Sequence, residues 1–98
     1  MTFNIKNPGG SIITLLRRAG YLFMHEDEKT KQAVFSRPLD RSGYPRFHLY
    51  IGQNGDNLIF NLHLDQKRPV YKGSTAHSGE YDSPLIEKEA DRIRMSLT

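Results

Sequence analysis

Between Arg46 and Asp65 the chain reads RFHLYIGQNGDNLIFNLHLD, two alternating runs on either side of a turn signal. Such a pattern specifies a β-hairpin with two chemically different faces. Asn54-Gly55 suits a two-residue type I′ turn, so Gln53 is expected to face Asp56, with Ile51 opposite Leu58, Leu49 opposite Phe60 and Phe47 opposite Leu62. One face then carries Phe47, Leu49, Ile51, Leu58, Phe60, Leu62 and Leu64 and must be core. The other carries Arg46, His48, Tyr50, Ile59, Asn61, His63 and Asp65. A three-residue loop would place apolar residues of one strand beside polar residues of the other, and that mixed face could be neither buried nor solvated cleanly.

The 98 residues suffice for one hydrophobic core, so residues 1–98 are read as a single domain, with 1–10 as an arm or an edge strand. Apolar residues make up 37% and charged residues 26%, as in folded soluble proteins. The absence of Cys excludes a disulfide scaffold, a thiol nucleophile and any Cys-ligated metal centre, and fits a reducing compartment. Met1 to Gly10 lacks the apolar core of a signal peptide, and no apolar run reaches membrane-spanning length. The expectation is a cytoplasmic protein with no membrane contact. A net charge of +3 is too mild to identify a partner, although Arg37, Arg41 and Arg46 flank one loop and Lys67, Arg68 and Lys72 lie in the next.

Ser11 is a suitable N-cap for a helix over Ile12–Ala19, stopped by Gly20. Tyr21–Glu26 and Gln32–Arg37 read as strands joined by a charged loop, and Pro38–Pro45 as an exposed connection. Gln66–Asp82 reads as a long polar loop. Ser83 and Pro84 then open a helix with an apolar stripe of Ile86, Ala90, Ile93 and Leu97. The predicted order is α-β-β-β-β-α, with Thr2–Lys6 as an additional strand or an arm. This is an α+β two-layer sandwich, a four-stranded antiparallel sheet with both helices on one face and the polar face open.

In the expected register Arg46 faces His63 and His48 faces Asn61, which gathers two histidines and the Asp65 carboxylate in one neighbourhood. Arg46, His48, Tyr50, Asn61, His63 and Asp65 are therefore the ligand-binding candidates. His48, His63 and Asp65 could hold a metal, but there is no sequence-level metal signature and no cofactor is expected. His77, in the segment Thr75–Asp82 ahead of the last helix, is a further ligand candidate, although Glu80 and Asp82 would repel an anion there. Gly9-Gly10-Ser11 reads as a turn, lacking the spacing of a phosphate loop.

Leu15-Leu16-Arg17-Arg18-Ala19-Gly20-Tyr21, a strand pair and the late His77-Ser78-Gly79 before a last helix resemble the HicA toxin family, whose fold is like the double-stranded-RNA-binding domain. The resemblance implies a helix-sheet-helix scaffold with RNA affinity. HicA-like ribonucleases place their catalytic His after a Gly-Ser at the start of the second strand, where this chain reads Thr30-Lys31-Gln32-Ala33, so it implies no ribonuclease activity. The segments Pro45–Tyr50, Phe60–Lys67 and Thr75–Asp82 are similar to a small uncharacterised bacterial family. That resemblance supports a free-standing domain and supplies no activity.

The leading functional expectation is a non-enzymatic binding module that contacts RNA or another nucleic acid. Its polar face would be supplemented by Arg37, Arg41, Lys67, Arg68 and Lys72 for phosphates. The alternative from a different class is a small hydrolase or nuclease using His48, His63 and Asp65, with or without a metal. A third reading is a protein-interaction domain or homodimer anchored by Ile59 and Tyr50. The chain is expected as a monomer or homodimer.

Overall fold

The hairpin organises the sheet. In the computed structural model, which describes residues 1–66, 79–80 and 82–97, its two arms are β4 (Arg46–Asn54) and β5 (Asn57–Asp65). The remaining elements are β1 (Thr2–Lys6), α1 (Ile12–Arg18), β2 (Leu22–Glu26), β3 (Ala33–Pro38), β6 (Gly79–Glu80) and α2 (Pro84–Leu97). The α+β class, the antiparallel sheet and the two helices agree with the sequence reading. The strand count does not: five strands run in the order β1-β5-β4-β3-β2, and the two-residue β6 pairs with the end of β5. Thr2–Lys6 supplies the fifth strand because Phe3 and Ile5 lie opposite Phe60 and Leu58, and both are buried. The Phe3 and Phe60 rings stack with centroids 5.2 Å apart. The expected long loop is likewise interrupted, by β6; Gly79 and Glu80 pair with Asp65 and Leu64.

The hairpin register also differs from expectation. Phe47 pairs with Leu64, Leu49 with Leu62, Ile51 with Phe60 and Asn54 with Asn57, so the two turn residues are Gly55 and Asp56. Only Gly55 takes a positive φ, +61°, as a type II′ turn requires of its first central residue. A type I′ turn would have forced Asn54 into that region as well. The slip is two residues, so every side chain keeps its expected face. It brings Arg46 opposite Asp65, an opposite-charge pair, where the other register would set Asp65 against Tyr44.

Both helices cover the apolar face. Leu16 and Ala19 of the first helix segment and Ile86, Ala90, Ile93 and Leu97 of α2 join Phe35, Phe47, Leu49, Phe60 and Leu62 in one core. Ser11 caps α1 by accepting from the Thr14 N–H, and Ser83 caps α2 by accepting from the Ile86 N–H. Gly20, at φ +97°, ends α1 in a Schellman motif: Tyr21 N–H donates to Leu16 C=O and Gly20 N–H to Arg17 C=O. No helix among the described residues is long and apolar enough to cross a membrane.

That helix stop delivers Tyr21 into the core, fully buried, where its hydroxyl needs a partner. Glu89 supplies it. The Tyr21 hydroxyl donates to Glu89 Oε2 at 2.6 Å, and Arg92 clamps the same carboxylate at 2.8 and 2.9 Å while its Nη2 also donates to Ala19 C=O. One buried carboxylate thus joins α2 to the end of α1. Removing it leaves a buried hydroxyl unpaired and two guanidiniums, those of Arg92 and of Arg37 on β3, without their anion. Glu89→Ala is expected to cost about 3 kcal/mol in urea unfolding at unchanged m-value, and Tyr21→Phe about 1 to 2 kcal/mol. A Glu89→Ala loss below about 1 kcal/mol would show that the cluster does not join the layers.

Candidate functional site

The observed register sets the polar face in rows. Ser36 lies beside His48 and His48 beside His63; in the neighbouring rows Val34, Tyr50, Asn61 and Thr2 follow one another, and Arg46 faces Asp65. The expected pairings of Arg46 with His63 and His48 with Asn61 are thereby replaced. The face is also less open than expected. Val34 and Ser36 point to it and are buried, and the His48 and His63 side chains are only 16% and 12% exposed.

His48 and His63 form a directly opposed pair, and their facing nitrogens approach closely. His48 Nδ1 and His63 Nε2 are 3.2 Å apart. Asp65 closes the triangle: Oδ1 lies 3.3 Å from His63 Nε2 and Oδ2 lies 3.6 Å from His48 Nδ1. Arg46 Nε contacts Asp65 Oδ2, the oxygen nearer His48, at 3.5 Å, and its guanidinium sits 4.7 Å from the Tyr44 ring centroid. Tyr50 packs against both imidazoles, with centroids 4.8 Å from His48 and 5.9 Å from His63. These contacts hold both rings in place from the side.

Burial, the largest cause, and the neighbouring His63 lower the His48 imidazole to about 4; Asp65 opposes them and Arg46 adds to them. Burial also lowers His63, against the pull of Asp65. Both rings are therefore neutral at pH 7, each with one N–H and one lone pair. Two neutral ring nitrogens this close cannot present lone pairs to each other without a shared proton or a cation between them.

The other candidates are dispersed. Asn61 is exposed in the row next to His63, and Arg41 is exposed in the β3–β4 connection. Arg37 is on the helix-bearing side of the sheet, 3.4 Å from Glu89. His77, Lys67, Arg68 and Lys72 lie outside the described residues. The sequence reading names no site role for Glu89, which the structure buries with Tyr21, Arg37 and Arg92 around it. Its spacing three residues after Ile86 and four before Ile93 was the available signal, since it falls on the apolar stripe.

No protein family, curated protein or solved structure compared with this chain matches it. Nothing in those comparisons bears on the two resemblances noted in the sequence.

A folded-state His48 that stays neutral to about pH 4 makes stability depend on pH. In the unfolded chain a His protonates near about 6.5, so the folded state is fully favoured above that pH and loses ground as pH falls toward 4. For metal-free protein the unfolding free energy is expected to drop on the order of 2 to 3 kcal/mol between about pH 7 and pH 4.5, and by less in His48→Asn. Ring resonances of His48 titrating with a midpoint at about 6 or above would contradict this.

Proposed function

We propose that the chain binds a divalent ion of the zinc class through His48 Nδ1, His63 Nε2 and the Asp65 carboxylate. The observation that carries this reading is the set of donor separations, 3.2, 3.3 and 3.6 Å. A tetrahedral ion with bonds of about 2.0 to 2.1 Å needs its donors about 3.3 to 3.4 Å apart. The donors stand near those positions, and a small rotation of the carboxylate sets one oxygen onto the ion. Imidazole nitrogen with carboxylate oxygen suits zinc rather than calcium or magnesium, which prefer all-oxygen shells. Both rings are neutral at pH 7, so loading displaces no proton from an imidazolium.

Arg46 would act behind the carboxylate, pairing with Asp65 and fixing its orientation. Tyr50 would keep the imidazoles from rotating away. Two neutral histidines and one carboxylate leave the loaded site with a net positive charge. Three protein donors also leave one position of a tetrahedral ion for a further ligand, the arrangement of metal-assisted hydrolysis. When bound, such an ion would supply Lewis-acid activation of water or of an ester oxygen. The RNA-binding reading draws less support from the described residues: Arg46 is engaged by Asp65 and Tyr44, Tyr50 packs on the histidines, and Arg37 is on the opposite face.

Calorimetric titration of zinc into chelator-treated protein is expected to show one strong site per chain. Losing a group that only orients a zinc ligand costs about 10- to 100-fold, so His63→Ala and Asp65→Ala, which remove ligands themselves, should each weaken binding more than about a hundredfold. Asn61→Ala, exposed and outside the triangle, should leave it unchanged. Absence of micromolar binding, or binding that survives His63→Ala and Asp65→Ala, refutes the reading. Hydrolysis of an activated phosphodiester by the zinc-loaded protein, lost in His63→Ala, tests the reaction class separately.

A further inference from the structure

A cleft on the other side of the sheet shares no residue with the His48–His63–Asp65 triangle. Where α2 crosses the β3–β4 end of the sheet, a cleft of about 340 Å³ opens. Its apolar wall is Phe47, buried at the base, with Leu39 and Leu85 at the lip, 43% and 48% exposed. Small-molecule sites run from about 300 to 1,000 Å³, so the cleft suits a compact ligand. Three cations, Arg37, Lys88 and Arg92, and the Glu89 carboxylate complete the lining.

The charges are unequal in what they have left to offer. Glu89 is committed to the Tyr21 hydroxyl and to Arg92 at 2.6 to 2.9 Å. Arg92 is committed in turn to Glu89 and to Ala19 C=O. Arg37 touches Glu89 only through Nη1, at 3.4 and 3.5 Å, and among the described residues its other N–H groups have no acceptor. Lys88, exposed on α2, makes no ion pair or hydrogen bond among the described residues. Two cationic groups with donors to spare therefore face an apolar wall.

Arg37 is held in readiness by a glycine. A Cβ on Gly20 would lie 3.0 Å from Arg37 Nε and 3.3 Å from its Cδ, so the arginine stem lies across bare backbone at the helix stop. From there its guanidinium carbon sits 5.9 Å from the Phe47 ring centroid, above the floor of the cleft. Glu89 holds the guanidinium from one side without saturating it.

We propose that this cleft binds a small amphipathic carboxylate, its head between Arg37 and Lys88 and its aliphatic or aromatic body against Phe47, Leu39 and Leu85. Charged hydrogen bonds to the head and desolvation of the body are both required, because the cleft is too small for an apolar ligand to hold on area alone. The ligand class is an aliphatic or aryl monocarboxylate.

Amide chemical shifts of the full chain, followed during titration with sodium octanoate, test the assignment. Saturable shifts at Phe47, Leu85 and Lys88 are expected, with the amides of Tyr50 and His63 unmoved. Octanol, which lacks the charge, and acetate, which lacks the body, should each bind at least about tenfold more weakly, as should octanoate to Lys88→Glu. Lys88→Glu should leave the urea midpoint of the free protein in place, since the side chain is exposed. No saturable shift, shifts centred elsewhere, octanol or acetate binding as tightly as octanoate, or unchanged affinity in Lys88→Glu would each overturn the proposal.

Discussion

The β4–β5 ladder is the constraint on which the rest depends. Its parity puts Phe47, Leu49, Ile51, Leu58, Phe60, Leu62 and Leu64 on the helix side, where all are buried. Its exact pairing puts His48 against His63 and Arg46 against Asp65. These are separate physical decisions. A slip by one residue would expose the core, whereas a slip by two would preserve it and dissolve the site. The choice between the two allowed registers rests on Gly55 as the sole residue in the hairpin turn at positive φ and on the Arg46–Asp65 pair.

The sheet separates two kinds of polar chemistry. On the helix side a carboxylate is buried because α2 must cross the end of α1, and Tyr21, Arg37 and Arg92 surround it so that no buried side-chain polar atom among the described residues lacks a partner. On the other side the histidines are half-buried, neutral at pH 7 and close to a carboxylate. The Glu89 cluster is tied to two elements by short charged hydrogen bonds, whereas the two imidazoles share a single contact of 3.2 Å beside the Asp65 carboxylate. That difference separates structural Glu89 from the ligating role proposed for Asp65.

Much of this architecture is legible in the amino-acid sequence. The caps Ser11 and Ser83, Pro84 at the first turn and Gly20 at the stop mark both helices, since each satisfies a backbone requirement that few residues meet. Period-two alternation fixed the two faces of β4 and β5 and assembled His48, His63 and Asp65 on one of them. What alternation cannot supply is pairing within a given parity, so the expected partner of His48 was Asn61 rather than His63. Strand β3 was harder still, because Val34, Phe35 and Ser36 are all buried and a strand covered on both sides carries no alternation. Thr2–Lys6 reads equally as an arm or a strand because it shows only two apolar positions, and their burial depends on Phe60 and Leu58 far along the chain. The cleft beside Lys88 was out of reach for the same reason: it exists only where α2, β3 and β4 meet.

The most direct measurement of the central claim is anomalous diffraction at the zinc edge from crystals of the full chain grown with one equivalent of zinc. The account predicts a single strong peak about 2.0 to 2.1 Å from both His48 Nδ1 and His63 Nε2, with an Asp65 oxygen at a similar distance. A peak bound elsewhere, or none at the triangle with the two imidazoles still in hydrogen-bond contact, would contradict it.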